Sequence, residues 1–341
     1  MNIITICHDH PETIKFLKHT YVLMSNLNIA FLGPEELAKE LGKKGTSTDI
    51  TFYNMKKGDI SLTIILASRY PEKLSSLFYT ISLAELAVLV VDEMSARLGE
   101  TILMLQAAGI QKGVMILRNY IDQGQIAPLI RGTVLEQYTI LPDDAVGLRE
   151  YLLTCASEPK QGSADTKGIV PIDHHFNVKG IGTVILGGVQ RGTIHRHDQL
   201  TVHPLGKTAQ VRSIQVHDDD TEEAFTGDRV GLALKGIEAD DLDRGYVLSN
   251  DPAVTASCEI SGDAVIIPYW PSPLKEQMVL YAGHWMQFIP CRVTQVQDDG
   301  DFRKPRLTLS FERELIYLPG SKVILHYLES DKLRIVGTLK I

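Results

Sequence analysis

The chain has 341 residues, 44% apolar and 22% charged, with a formal net charge of −8. That length suits two or three domains of about 100–200 residues, and the acidic balance excludes a protein coated in nucleic acid while leaving local RNA contact open. Cys7, Cys155, Cys258 and Cys291 are scattered without a C-x-x-C pair, which indicates neither a disulfide framework nor a zinc site, and the longest apolar run, 81–91, is too short to span a bilayer, so a reduced, cytoplasmic setting with no membrane partner is expected.

Residues 1–26 fit poorly with the rest of the chain. They include a second methionine, Met24, and read either as an extra strand and helix or as an upstream start added ahead of it. Cys7, His8, Asp9 and His10 stand side by side there. Four adjacent residues rarely converge on one ion, so no metal is assigned to them.

From 27 to 156 strand and helix patterns alternate. A short apolar strand covers 28–32. A helix is expected over 34–44, with Pro34 at its first position, acids in its first turn, lysine in its last and Gly45 after it. Strands 49–55 and 60–66 flank the hairpin signal Lys56-Lys57-Gly58-Asp59. Leu74, Leu77, Phe78 and Ile81 mark one helix face, 86–91 is a continuous buried strand, and Leu98, Ile102 and Leu105 line a helix that Gly109 ends. A strand at 113–117, a short helix at 122–130, a strand at 134–140 and a helix at 142–154 complete the unit. This order predicts a doubly wound, mainly parallel sheet with helices on both faces.

The polar stretch 157–168, rich in Pro, Gly and Ser, reads as a linker. Beyond it short strands recur between Gly, Asp and Pro turns. Val230, Leu232 and Leu234, for instance, alternate with Arg229, Gly231, Ala233 and Lys235. Residues 169–250 and 251–341 are therefore expected to form two small β-barrels. His174-His175, His195-Arg196-His197-Asp198 and His217-Asp218-Asp219-Asp220 offer metal-binding or pH-sensing chemistry, but solvated turns account for them.

Four stretches carry a resemblance. They are Phe176-Asn-Val-Lys-Gly180-Ile-Gly182-Thr183-Val184, the turn Gly187-Gly188-Val189-Gln190-Arg191-Gly192, the run from Gly227-Asp228-Arg229-Val230 to Gly236-Ile237, and Asp243-Arg244-Gly245-Tyr246-Val247-Leu248. In order and spacing they resemble the second domain of the EF-Tu and SelB elongation factors, with Ile181 where that family has arginine. Residues 253–341 resemble the family's last barrel by position and strand pattern. The ending Lys332-Leu-Arg-Ile-Val-Gly337-Thr-Leu-Lys-Ile341 is similar to that of archaeal SelB-like factors, of the EF-Pyl type. The resemblance implies a G-domain-like first unit followed by two barrels, and no mRNA-hairpin-binding domain.

The first unit resembles the family's GTPase domain with its phosphate motifs replaced. Its phosphate loop, G-x-x-x-x-G-K-[ST], is here Gly33-Pro34-Glu35-Glu36-Leu37-Ala38-Lys39-Glu40. Pro34 lacks an N–H, and Glu35 and Glu36 put carboxylates at a helix start where a phosphate would need donors. At D-x-P-G-H stand Leu66-Ala67-Ser68-Arg69-Tyr70, without the Mg²⁺-holding and water-positioning groups. The guanine-reading N-K-x-D is half kept as Asn119-Tyr120-Ile121-Asp122, and Asp122 equally reads as a helix N-cap. Gly33, Lys39, Asn119 and Asp122 are thus the positions on which nucleotide binding would rest. No GTP, Mg²⁺ or other cofactor is expected, and no catalytic residue is assigned.

The resemblance implies aminoacyl-tRNA and the ribosome as partners. Candidate RNA contacts are Arg191, Arg212, Arg229, Lys235 and Arg292. The leading expectation is an elongation-factor relative that does not hydrolyse GTP. Two alternatives stand beside it, an unusual GTPase of the same family and a protein-interaction adaptor on the same scaffold.

Overall fold

The computed structural model describes residues 25–158, 167–330 and 333–341. The cluster Cys7, His8, Asp9 and His10, most of the expected linker, and Lys332 lie outside the described residues.

The first unit is one sheet of seven strands, β1 (Ser25–Leu32), β2 (Lys43–Ser47), β3 (Thr51–Lys57), β4 (Ile60–Leu66), β5 (Leu86–Val91), β6 (Lys112–Leu117) and β7 (Thr139–Leu141), in the order β2-β3-β4-β1-β5-β6-β7. β1 pairs in parallel with β4 on one side and β5 on the other, while β2, β3 and β4 are antiparallel neighbours. β5 (LAVLVV) is buried at every position, as a central parallel strand covered on both faces requires. One face is covered by α1 (Glu35–Leu41) and α5 (Ala145–Ala156), which contribute Leu37, Leu41, Leu148 and Leu152. On the other face α2 (Leu74–Ser82), α3 (Ala96–Ala108) and α4 (Gln123–Ile130) supply Leu77, Ile81, Ile102, Leu105 and Ile126.

Two local expectations are corrected. The first helix stops at Leu41 instead of running to Lys44, and Lys43–Ser47 is an edge strand, with Gly42 in extended backbone at φ −160°. Pairing of Lys43 with Asn54 and of Lys44 with Tyr53 gives that segment backbone partners that one more helical turn would forgo. The strand expected over 134–140 is a 3₁₀ turn, Val134–Gln137, followed by the three-residue β7. Thr133 caps this turn, and the Tyr138 ring lies where a Cβ on Gly113 would sit, 2.2 Å away. Packing on β6 therefore overrides the apolar alternation.

The second unit contains β8 (Ile169–Val178), β9 (Gly182–Gly188), β10 (Thr193–His195), β11 (Gln199–His203), β12 (Lys207–Val216), β13 (Asp219–Thr221), β14 (Glu223–Phe225), β15 (Arg229–Lys235) and β16 (Val247–Ser249). The sheet β11-β16-β8-β9-β15-β12 closes through β11–β12 pairing, with β13 added to β12. The third unit is a closed barrel, β17-β20-β19-β18-β21-β22, made of β17 (Thr255–Ile266), β18 (Val279–His284), β19 (Gln287–Gln297), β20 (Arg306–Tyr317), β21 (Lys322–His326) and β22 (Ile335–Lys340). Each barrel has its own core, around Ile185, Val211 and Leu232 in one and Leu280, Leu309 and Leu325 in the other.

The three units meet around Met286 and Phe52. Met286, at the tip of the β18–β19 hairpin, is 1% exposed and packs among Ile50, Phe52, Ile65 and Leu83 of the first unit. Ser82 Oγ donates to the neighbouring Trp285 carbonyl at 2.7 Å. The Arg229 guanidinium of the second unit lies 3.7 Å from the centre of the Phe52 ring, and Gly245 approaches the Met286 carbonyl so closely that a Cβ there would stand 2.9 Å from it. Elsewhere on this boundary Asn26 and Asn28 both donate to the Gly227 carbonyl at 2.7 Å, and Lys56 pairs with Asp219. That docking also half-buries His217, which the sequence pattern places in a solvated loop. Burial, with Arg229 and Lys56 near, brings its pKa down to about 4.

The boundary between the first unit and the third barrel includes a fully buried histidine. The His326 ring lies 5.6 Å from that of Phe78 and 4.8 Å from that of Phe288, its Nδ1 3.1 Å from the Tyr281 carbonyl, and its Nε2 has no protein partner. Burial pushes its pKa down to about 3, and that of His284 on the same barrel down to about 4.

Two outcomes are expected. Met286→Ala removes the third-unit side chain buried in the first unit and should lower stability by roughly 2–5 kcal/mol in a denaturant melt; a loss below about 0.5 kcal/mol would contradict its place at the junction. His326 has a folded pKa below its unfolded value of about 6.5, so its contribution is complete above that pH and is lost as pH falls toward 3. Thermal melts taken from neutral into acid should show a falling midpoint, with a shallower slope in His326→Gln. An unchanged slope would show that the ring does not carry the effect.

Candidate functional site

In an open α/β sheet the crevice for a ligand lies beyond the carboxyl ends of the strands, where the strand order reverses. Here that place is the end of β1, between β4 and β5. A cavity of about 230 Å³ opens there, lined by Leu32, Gly33, Leu66, Tyr70, Asp92 and Arg97 among others. It is smaller than the roughly 300–1,000 Å³ of typical small-molecule sites.

The loop after β1 is collapsed onto β5. A Cβ on Gly33 would stand 2.5 Å from Val90 Cγ2, so glycine is required for this close approach. Pro34 precedes α1 without a side-chain cap. Glu35 accepts from the Tyr53 hydroxyl at 2.6 Å and from Lys44 at 3.3 Å, and lies 3.4 Å from Lys39. The Tyr53 hydrogen bond, then Lys44 and Lys39, hold its pKa down at about 2. Lys39 is therefore turned to a carboxylate of its own helix and does not line the cavity.

The segment after β4 is tied to both barrels. Leu66 is buried. The Ser68 N–H donates to the Asp49 carbonyl at 3.0 Å, and the Asp49 carboxylate accepts two 2.8 Å bonds from Arg244 of the second unit. Burial opposes the Asp49 charge, yet Arg244 keeps its pKa below the ordinary range. The Tyr70 hydroxyl, with one proton to donate, has the Arg97 carbonyl at 3.0 Å and the Glu100 carboxylate at 3.1 Å as acceptors. Burial raises its pKa, and Glu100 adds to the shift. Glu100 is itself buried and accepts 2.9 and 2.6 Å bonds from Arg334 of the third unit, whose guanidinium also donates to the Pro71 carbonyl. The tyrosine at the water-positioning place is thus a strut between the first unit and the third.

Asn119 and Asp122 stand on the loop after β6. Asn119 Nδ2 donates to the Asp92 carbonyl at 2.8 Å, and Asp122 caps α4 through a capping box with Gln125. The N-cap reading of Asp122 from the sequence describes its observed role. Neither residue lines the cavity. Gly33 alone of the four nucleotide-site positions does.

Two of the candidate RNA contacts, Arg212 and Lys235, are exposed on neighbouring strands. They lie on the paired strands β12 and β15, where Gln210 faces Lys235, and the Arg212 guanidinium donates to the Ile181 carbonyl at 3.1 Å. This puts a cation at the turn where the family's arginine is missing. Lys179, Phe176 and Ile181, all exposed, complete that face. The sequence reading omitted Lys179, although its place beside Gly180 was a signal. Arg292 lies on the other barrel and donates to the Gln277 carbonyl. Arg191 is 3.8 Å from Asp251. Arg229 is engaged by Asp173 at 2.9 and 3.2 Å as well as by Phe52. Asp173 is fully buried, and although burial opposes its charge, Arg229 and the His174 ring keep its pKa below the usual range. Arg229 thus has structural partners that a solvated RNA contact would lack. Among the described residues no group of three His, Cys, Asp or Glu is placed to hold a metal, and no helix is long and apolar enough to cross a membrane.

Comparison with known proteins places this geometry. The family described as Elongation factor Tu domain 2 matches residues 182–249. The uncharacterized protein MJ0325 of Methanocaldococcus jannaschii is 40% identical over 321 residues, covering 93% of this chain and 100% of its own. The selenocysteine-specific elongation factor of the same organism is 27% identical over 236 residues, and the match spans 62% of this chain and 50% of that one. Among solved structures, elongation factor SelB of Methanococcus maripaludis, in complex with the GTP analogue GppNHp, superposes with a TM-score of 0.78 at 22% identity, covering 93% of this chain and 78% of that one. The chain shares the SelB fold of one α/β unit followed by two β-barrels, and it belongs to the family of the Methanocaldococcus jannaschii protein MJ0325, within the wider group of EF-Tu- and SelB-type elongation factors.

Proposed function

We propose that this chain is a translation factor that engages aminoacyl-tRNA or the ribosome in the cytoplasm with its three units in one fixed arrangement, and that it does not use GTP as a switch. The observation that carries this reading is the double anchorage of the segment after β4, through Asp49 to Arg244 and through Tyr70 and Glu100 to Arg334. A nucleotide can shift a domain arrangement only by binding the two states with different affinity. Here the segment that would report a γ-phosphate already holds both barrels.

The residues at the end of β1 do not fit guanosine triphosphate with Mg²⁺. Pro34 offers no N–H, Glu35 already engages Lys39, Leu66 stands where a metal-holding acid would be needed, and the cavity is small. The RNA-facing part of the proposal rests on Lys179, Arg212 and Lys235 around the exposed Phe176 and Ile181, an arrangement of cations and stacking surface suited to an unpaired nucleic-acid end.

Filter binding of aminoacylated tRNA across a salt series, with GTP, with GDP and without nucleotide, tests the proposal. Binding should fall with log salt in proportion to the phosphates contacted, and the three nucleotide conditions should agree within about twofold, since no differential affinity is available. Arg212→Ala with Lys235→Ala should weaken binding at low salt and flatten the slope. Tighter binding with GTP than with GDP, lost in Lys39→Ala, would replace this reading with that of an unusual GTPase.

A further inference from the structure

The end of the sheet beyond β5, β6 and β7 presents a different surface. These strands end almost level, with Val91 opposite Leu117 and Ile116 opposite Leu141, so at about 4.8 Å per strand their loops leave side by side. The loops are also stitched together. The Arg118 N–H donates to the Val91 carbonyl at 2.8 Å, Asn119 Nδ2 to the Asp92 carbonyl at 2.8 Å, and the Arg118 guanidinium grips Asp143 at 2.8 and 2.6 Å. Each connection exposes an apolar side chain, Met94 in the loop after β5, Tyr120 in the loop after β6 and Val146 in the first turn of α5 after β7. Tyr120 is wholly exposed, with no intramolecular packing to offset its hydration.

The charge around these side chains is predominantly negative. The loops carry the carboxylates of Asp92, Glu93, Asp122, Asp143 and Asp144 against Arg118, which is engaged by Asp143, and Arg97 in the first turn of α3. Such a rim repels phosphate and opposes RNA, while it favours a cationic partner. An exposed tyrosine on hydrogen-bonded loops, with exposed aliphatic side chains and an excess of acids on the adjoining connections, has the composition of a protein-binding hot spot.

We infer that this face docks a partner polypeptide whose lysines or arginines surround an apolar pocket that takes Tyr120. The inference does not depend on tRNA binding, which uses the opposite sign of charge on the second unit. The occupant is a basic protein surface, because the carboxylates provide the complement and the three apolar side chains the centre.

The test places a photoreactive group at Tyr120→p-benzoylphenylalanine in the full chain, with Tyr269→p-benzoylphenylalanine on the third barrel as the control. The probe is the mixed basic protein fraction extracted from archaeal ribosomes and freed of RNA, and in a second arm intact ribosomes. The expected result is a discrete polypeptide adduct from position 120 and none from 269. Its yield should fall about tenfold with Glu93→Lys or with Val146→Ser, and a lysine-rich peptide bearing leucine and phenylalanine should compete it away, whereas an acidic peptide of the same apolar content should not. Circular dichroism melts confirm that the variants are folded. Adducts to RNA, equal adducts from position 269, no adduct in either arm, or a yield indifferent to Glu93→Lys would overturn the inference.

Discussion

The arrangement of the molecule depends on one apolar contact. Met286 is part of a barrel by sequence and of the α/β unit by environment, since Ile50, Phe52, Ile65 and Leu83 surround it. Phe52, one of those partners, is also the ring on which Arg229 of the second unit rests. A single aromatic side chain thus relates all three units. Methionine suits such a seam because its unbranched, polarizable chain fills an irregular gap between surfaces that fold separately. Around this centre the polar contacts are directional. Arg244 with Asp49, Arg334 with Glu100, and Ser82 with the Trp285 carbonyl each fix an orientation that apolar packing alone would leave loose.

Ion pairs of this kind are weak evidence for net stability. Their desolvation offsets much of their attraction, and burial works against the charge of Asp49 and Asp173. Their value lies in specificity, because an altered domain angle would strand a partly buried charge at a cost of several kcal/mol. A chain held this way cannot pass cheaply between two domain arrangements. The anchored segment follows β4, and in the function proposed above the residues that would sense phosphate are the same few that make domain contacts, Ser68, Tyr70 and their partners.

Much of this was legible in the sequence. Continuous burial of 86–91, the Asp122 cap and the alternation in 229–235 each follow from local periodicity or side-chain chemistry. The failures lay where a distant surface decides. Lys43–Ser47 reads as the tail of a helix until β3 offers it a ladder. The 134–140 stretch alternates like a strand, yet Tyr138 folds over Gly113. At the site, the sequence pointed to Gly33, Lys39, Asn119 and Asp122 as the positions on which nucleotide binding would rest. It could not show that Lys39 turns to Glu35, that Tyr70 reaches Glu100, or that Arg229 is bound to Asp173, because these partners lie on other elements or depend on rotamers. Met286 carries no local signal, and its role appears only when the hairpin tip is seen against the first unit.

The central claim is that the three units hold one arrangement whatever nucleotide is present. Pulsed electron paramagnetic resonance between spin labels at Asp59→Cys in the first unit and Val265→Cys in the third, in a Cys7→Ser, Cys155→Ser, Cys258→Ser background, measures it directly. The account predicts one narrow distance distribution that is the same with GDP, with a non-hydrolysable GTP analogue and with neither. A shift of about 5 Å or more on adding the analogue, the scale of a one-turn slide between packed elements, would contradict it.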